Sequence, residues 1–199
     1  MTDTNIPEVL KAVKEQGFVV FTQGDYNLNI VGVRHPNQLP DIFNDSLYCI
    51  FKVSGEWEVH KFEVTTDPSI YWLMHPMRGD GTAILKHPQQ MRASYKLGTH
   101  KGTYPCLVQC KPVQVWRDNN CDEIIDNYSK LTNSSSWGIQ IHRANSKWKS
   151  KRISKWSAGC TVFSDPQEYD KFMKIIQKSI EVHPTWDKFT YTLIQGVFK

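Results

Sequence analysis

Residues 18–117 carry many short apolar or alternating runs, and this pattern constrains the fold more than any other feature of the chain. Gly, Pro, Asn and Asp separate the runs, which is typical of β-strands joined by turns. Ser54-Gly55-Glu56 fits a hairpin loop. We therefore expect a β-rich, mixed and mostly antiparallel sheet. The predicted strands cover residues 18–22, 28–33, 48–53, 57–64, 83–85, 107–109 and 113–116, with further strands over 137–142 and 189–194.

Helices are predicted near both ends of the sequence. The first covers residues 7–16, where Pro7 suits a first helical turn and apolar residues follow at helical spacing. The second covers residues 167–182, with Asp165 as its cap and Pro166 at its first position. The sequence has no repeat or long linker, and 199 residues suit one core. The fold class is thus α+β, as a single domain over residues 1–199.

The cysteine count directs attention to a free thiol. Five cysteines are an odd number, which argues against a disulfide framework and leaves at least one thiol unpaired. No run approaches the roughly 18 apolar residues of a membrane span, and the first residues lack the order of a secretory signal. We expect a chain without a membrane span that is synthesised in the cytoplasm.

The segment over residues 138–163 contains a nucleophile and a base. Cys160 is only a few per cent thiolate at neutral pH unless an imidazole or a positive field assists it, and His142 can supply that assistance. Gly159 permits a tight turn that brings backbone N–H groups near the sulfur, where an oxyanion would form. Ser157 is placed to hydrogen-bond this turn. We predict a cysteine acyl-transfer site.

This segment resembles the signature of the YkuD-type L,D-transpeptidases, in which a histidine precedes Ser/Thr-His-Gly-Cys. Fourteen residues separate His142 from Ser157-Ala158-Gly159-Cys160, which fits the spacing of that signature. The stretches 81–84 and 96–104 look like the β segments that carry the family's acyl-donor docking surface. The chain is also similar to YkuD-like proteins of phages and prophages of Gram-negative bacteria.

The resemblance implies a reaction and a set of roles. Cys160 would attack the L,D amide between diaminopimelate and D-alanine in a peptidoglycan stem peptide and form a thioester, without metal or organic cofactor. The main-chain carbonyl of Arg143 would orient His142. Lys155 and Trp156 would bind substrate.

Gln140 and Ala158 are the remaining expected substrate-binding residues, and Ala158 marks a departure from the signature. The family's histidine between Ser and Gly is Ala158 here, and its Arg or Asn two residues after the cysteine is Val162. These changes leave open whether water or an amine accepts the acyl group. The product would come from hydrolysis in the first case and from transpeptidation in the second.

Positive charge is concentrated beside this segment. The chain carries +4 overall, but residues 143–155 hold six basic side chains and no acid. The resulting local positive potential suits the carboxylates of stem peptides. The simpler interpretation of this basic run is a solvated loop without a binding role. Trp148 and Trp156 within this run also suit a nucleic-acid-binding module, although no recognised nucleic-acid motif accompanies them.

Ala158 and Val162 suit a third alternative, a phage virion structural or attachment protein with a degenerate site. If the chain is the enzyme, we expect it to act in the periplasm or cell wall. It would arrive there through membrane permeabilisation by other proteins or as part of a virion.

Overall fold

A computed structural model describes residues 5–126, 130–135 and 138–198. These residues form three helices and eleven strands. The helices are α1 (Glu8–Glu15), α2 (Ile70–Met74) and α3 (Pro166–Val182). The strands are β1 (Asn29–Arg34), β2 (Asp45–Val53), β3 (Glu56–Thr65), β4 (Thr82–Leu85), β5 (Gln89–His100), β6 (Tyr104–Gln109), β7 (Gln114–Asp118), β8 (Lys130–Asn133), β9 (Ile141–Arg143), β10 (Thr161–Phe163) and β11 (Lys188–Gln195).

Eight of the strands form a closed mixed barrel, in the order β1-β11-β5-β6-β9-β10-β3-β2. Two neighbouring pairs are parallel, β1 with β11 and β9 with β10, and the other pairs are antiparallel. The β-rich α+β class is therefore confirmed, and the sheet is mixed with mostly antiparallel pairs as expected. The sheet closes into a barrel, however, and this closure was not predicted. Closure depends on β11 pairing with both β1 and β5, and periodicity predicts strands without predicting their partners.

The barrel is buried on both faces where α1 covers it. Alternate residues of β2 point to opposite sides, so Leu47, Cys49 and Phe51 join the barrel interior while Tyr48 and Ile50 pack with α1. The hairpin between β2 and β3 turns at Ser54 and Gly55, both with positive φ (52° and 87°), which confirms the predicted loop.

Helix α3 begins as the sequence predicts. The Asp165 carboxylate accepts a hydrogen bond from the Gln167 N–H at 2.8 Å, and Pro166 occupies the first turn. Phe172 and Ile176 are completely buried in the same apolar cluster as the barrel interior. This packing places α3 next to β9 and β10.

Several sequence predictions of local structure are wrong. Residues 18–22 are not a strand; side-chain amides bind this segment, with Asn29 accepting from the Phe21 N–H at 2.8 Å. Strands β5, β8 and β10 and helix α2 were not predicted. The strand predicted over 137–142 is shorter and displaced, as β9, and residue 137 lies outside the described residues.

A second, three-stranded sheet has the order β4-β7-β8. Its strand β4 passes beside the turn that precedes β10, where Gly159 meets the Ala83 carbonyl. Within the described parts of the chain, no helix is long and apolar enough to cross a membrane.

Candidate active site

The parallel pair β9 and β10 brings the predicted nucleophile and base to one region of the barrel wall. Val162 pairs with His142, and Thr161 donates its N–H to the Gln140 carbonyl at 3.0 Å. One residue earlier, Cys160 lies beside Gln140. A strand spacing of about 4.8 Å and a rise of about 3.3 Å per residue then put the Cα atoms of Cys160 and His142 about 8 Å apart. Side chains of these lengths can meet across that distance.

The ring of His142 is held in one tautomer. Its Nδ1 lies 2.9 Å from the Arg143 carbonyl oxygen, and because a carbonyl only accepts, Nδ1 carries the proton. Nε2 therefore keeps its lone pair and can act as a base. The Tyr104 hydroxyl donates to the same carbonyl at 3.1 Å and lies 3.3 Å from Nδ1. The carbonyl at position 143 is thus in contact with the imidazole, as the resemblance implies.

His142 is almost completely buried, with 2% of its surface exposed. Burial and, as a smaller cause, the neighbouring His100 together lower its pKa to about 3. The Arg143 carbonyl acts in the opposite direction because it binds the Nδ1 proton. The imidazole is therefore neutral at neutral pH.

Cys160 is a partly exposed free thiol. Its Sγ donates to the Gly138 carbonyl at 3.1 Å and accepts the Gln140 N–H at 3.4 Å. Burial raises the pKa of Cys160, and the Gln140 N–H and the charge of Lys101 only partly oppose it, so the pKa is about 11. Among the described residues, no hydrogen bond joins this sulfur to the imidazole. The resting site is a neutral thiol beside a neutral base.

Ser157 closes the turn that presents the cysteine. Its hydroxyl donates to the Cys160 carbonyl at 2.9 Å and accepts the Gly159 N–H at 3.2 Å. The Gly159 N–H is therefore engaged by Ser157 in the resting structure. Gly159 has a φ of +114°, and a Cβ there would collide with the Ala83 carbonyl oxygen. Only glycine fits this turn without strain.

Helix α2 fixes the residues just before the turn. The Ser69 N–H donates to the Ser157 carbonyl at 3.0 Å, and the Trp72 indole N–H donates to the Lys155 carbonyl at 3.1 Å. The Lys155 ammonium lies 4.1 Å from the centre of the Tyr71 ring. The sequence did not separate Tyr71 and Trp72 from core aromatics, and no periodicity distinguishes them because α2 has only five residues.

The other expected substrate-binding residues occupy different environments. Trp156 is 42% exposed, and its backbone N–H donates to the Ile153 carbonyl. Ala158 is half-buried. The Gln140 side chain is engaged inside the site, because its Oε1 accepts from the His100 Nδ1 at 2.6 Å. The His100 ring in turn stacks on His142.

His100 is a residue of the site that no local sequence pattern singled out. It belongs to β5, 42 positions before His142, so only the barrel topology brings the two rings together. The resemblance of residues 96–104 to a docking segment was a sequence signal near it, and that segment also contains Tyr104.

No protein-family model, no curated protein and no solved structure matches the chain. The geometry of the site and the residues of segment 138–163 are therefore the features that indicate an activity.

Proposed function

We propose that the chain is a cysteine acyl-transfer enzyme with Cys160 as nucleophile and His142 as general base. The observation that supports this most directly is the contact between the His142 Nδ1 and the Arg143 carbonyl oxygen at 2.9 Å, which leaves Nε2 free on the strand next to Cys160. An imidazole oriented by a third group and a thiol within side-chain reach are the arrangement that nucleophilic catalysis requires.

The protonation of the resting pair determines how the first step would proceed. Both groups are neutral because burial raises the pKa of the thiol and lowers that of the imidazole. The thiol would therefore lose its proton as the bond to carbon forms. In this step Sγ leaves the Gly138 carbonyl, turns towards His142 and transfers its proton to Nε2.

The proposed substrate is the L,D amide bond of a peptidoglycan stem peptide. Sγ attacks the amide carbonyl carbon, the C–N bond breaks, and His142 returns the proton to the departing amine of D-alanine. The acyl group stays on Cys160 as a thioester. Water then gives hydrolysis, or an amine gives transpeptidation, and either step restores the thiol.

The charges around the site support a substrate that carries carboxylates. Lys101 and Arg143 both influence the electrostatics of His142, and Lys155 lies against Tyr71 of α2. None of these three cations forms an ion pair with a described residue. A carboxylate of the peptide would gain from this uncompensated positive potential.

Acids from elsewhere in the fold pair with other members of the basic segment. Lys149 contacts Glu63 at 3.0 Å, and Arg152 contacts Asp41 at 3.7 Å. The segment is therefore partly neutralised away from the thiol, which favours recognition at the cleft over a uniform basic surface. We further propose that the enzyme acts on the cell wall, as a phage-type protein.

The test is mass spectrometry of defined diaminopimelate-type tetrapeptides and cross-linked muropeptides incubated with the protein. We expect release of D-alanine or cleavage of a cross-link, complete loss in Cys160→Ala, and full retention in the control Cys121→Ala, which replaces an exposed cysteine. Unchanged substrates with a folded wild-type protein would reject the proposal. Equal activity in Cys160→Ala would reject the assigned nucleophile.

A further inference from the structure

Two stacked histidine rings lie at the centre of the site. The ring centres of His100 and His142 are 4.3 Å apart and their planes differ by 22°. The Nδ1 of His100 lies 2.6 Å from Gln140 Oε1, as the Nδ1 of His142 lies beside the Arg143 carbonyl. Each ring is therefore held at its Nδ1: His142 by Arg143 of β9, and His100 by Gln140, the residue just before β9. These contacts fix the two ring planes with respect to each other.

The charged groups nearest the two rings are both cations. Lys101 follows His100 in the chain, and Arg143 lies with its guanidinium carbon 4.0 Å from the centre of the Tyr104 ring. No carboxylate of the described residues forms an ion pair with either histidine. Several titratable and charged groups face the pair. They are Lys101 in the β5–β6 turn, Tyr104 and Cys106 in β6, Arg143 in β9 and Cys160 in the turn before β10. Tyr169 of α3 is linked to them through its ring contact with Tyr104.

These surroundings oppose a positive charge on either ring in the resting protein. Burial is the largest cause that lowers the pKa of both His100 and His142, and the nearby cations add to it. Two imidazolium rings stacked 4.3 Å apart would also repel each other. The pair therefore carries at most one positive charge, and the cost of a second charge keeps the partner ring neutral.

We propose that His100 is a positioning residue for the base: its ring packs against the His142 imidazole, holds the plane of that ring, and stays uncharged while His142 carries the thiol proton. This inference rests on the proposed function, in which His142 takes a proton during each reaction cycle. A neutral ring next to the transient imidazolium adds no charge repulsion, whereas a charged neighbour would oppose the imidazolium.

The stack also covers one face of the buried His142 ring. Removing the His100 ring would open one face of the imidazole to water, which would reduce the burial that lowers its pKa. Misplacement of a catalytic group by about 1 Å can cost about 10²-fold in rate. The hydrogen bond to Arg143 holds one edge of the His142 ring, and the stack on His100 contacts its face.

The experiment compares His100→Ala, which removes the ring, with His100→Phe, which keeps an aromatic face and removes the proton. The first measurement is an NMR pH titration of the His142 ring, which needs no enzymatic activity. We expect the His142 pKa to rise in both variants, and to rise further in His100→Ala because solvent enters. Thermal unfolding establishes that each variant is folded, and His100→Leu replaces His100→Ala if the latter does not fold.

The second measurement is the pH profile of kcat with a stem peptide. We expect His100→Ala to lose about 10²-fold in kcat with little change in KM, and His100→Phe to recover about tenfold of that loss with an acid limb moved to higher pH. An unchanged His142 titration in both variants would overturn the inference, as would equal kcat losses in both. If the wild-type protein has no activity, the proposed function fails while the NMR titration still decides the role of His100.

Discussion

The turn that carries Cys160 packs Gly159 against β4, and this contact predicts the cost of one added methyl group. In Gly159→Ala the new Cβ would lie well inside the 3.0 Å that real Cβ atoms keep from the Ala83 carbonyl oxygen. It would also lie 3.1 Å from the carbonyl carbon and 3.2 Å from the Cβ of Ala83. Because β4 is held by its pairing with β7, the turn must move instead, and Cys160 moves with it.

Two terms give the magnitude. A non-glycine residue held at a φ of +114° costs about 1–3 kcal/mol in backbone strain. Overpacking by one methyl group against a fixed backbone adds about 1–3 kcal/mol. We expect the free energy of unfolding to fall by about 2–6 kcal/mol, the sum of these terms, in urea titrations of Gly159→Ala.

Gly138→Ala is the matched control, because Gly138 has a similar φ of +122° and no atom of the described residues lies within 4 Å of its hypothetical Cβ. It should lose only the strain term of about 1–3 kcal/mol. Equal losses in Gly138→Ala and Gly159→Ala would refute the close packing of the cysteine turn on β4. A near-neutral Gly159→Ala would refute both the strain and the packing.

Three further changes test the site and its support. Ser157→Ala should cost about 1–3 kcal/mol of unfolding free energy in urea titrations, because it leaves the Gly159 N–H buried without its partner, and Ser157→Thr should restore most of it. Arg34→Met should lower the free energy of unfolding by about 3–5 kcal/mol, because it breaks a buried ion pair with Asp67 at 3.0 Å. Adding Asp67→Asn should recover part of that loss. Fully additive losses in the double variant would contradict the pairing. Alkylation of Cys160 by iodoacetamide should accelerate about tenfold per pH unit up to pH 10, because its pKa is raised to about 11 and the reactive thiolate is scarce below it; a plateau near pH 8.5 would contradict that raised pKa.

Local signals predicted the elements that depend on neighbouring residues. Asp165 and Pro166 start α3 through contacts within one turn, so the sequence alone specifies that boundary. The turn at Ser54 and Gly55 is equally local. Strand β5 was missed although it is twelve residues long, since polar and charged residues interrupt its apolar pattern and its stability comes from pairing with β6 and β11.

The candidate site also combines features that the local sequence predicts with features that depend on the folded barrel. The spacing between His142 and Cys160 singled out the two residues, and a parallel pairing with register Val162 to His142 sets them side by side. The stack of His100 on His142 depends on barrel order, which no local pattern encodes. The resting protonation state was also inaccessible, because burial, the main cause of both pKa shifts, is a property of the folded chain.

The most direct test of the central claim is the intact mass of the protein after brief reaction with a stem tetrapeptide and acid quenching. The account predicts an adduct with the mass of the peptide acyl group without its D-alanine, located on Cys160 by digestion. The adduct should be absent from Cys160→Ala, greatly reduced in His142→Gln and unchanged in Cys121→Ala. Absence of any adduct from an active wild-type protein, or an adduct that persists in Cys160→Ala, would contradict covalent catalysis by this thiol.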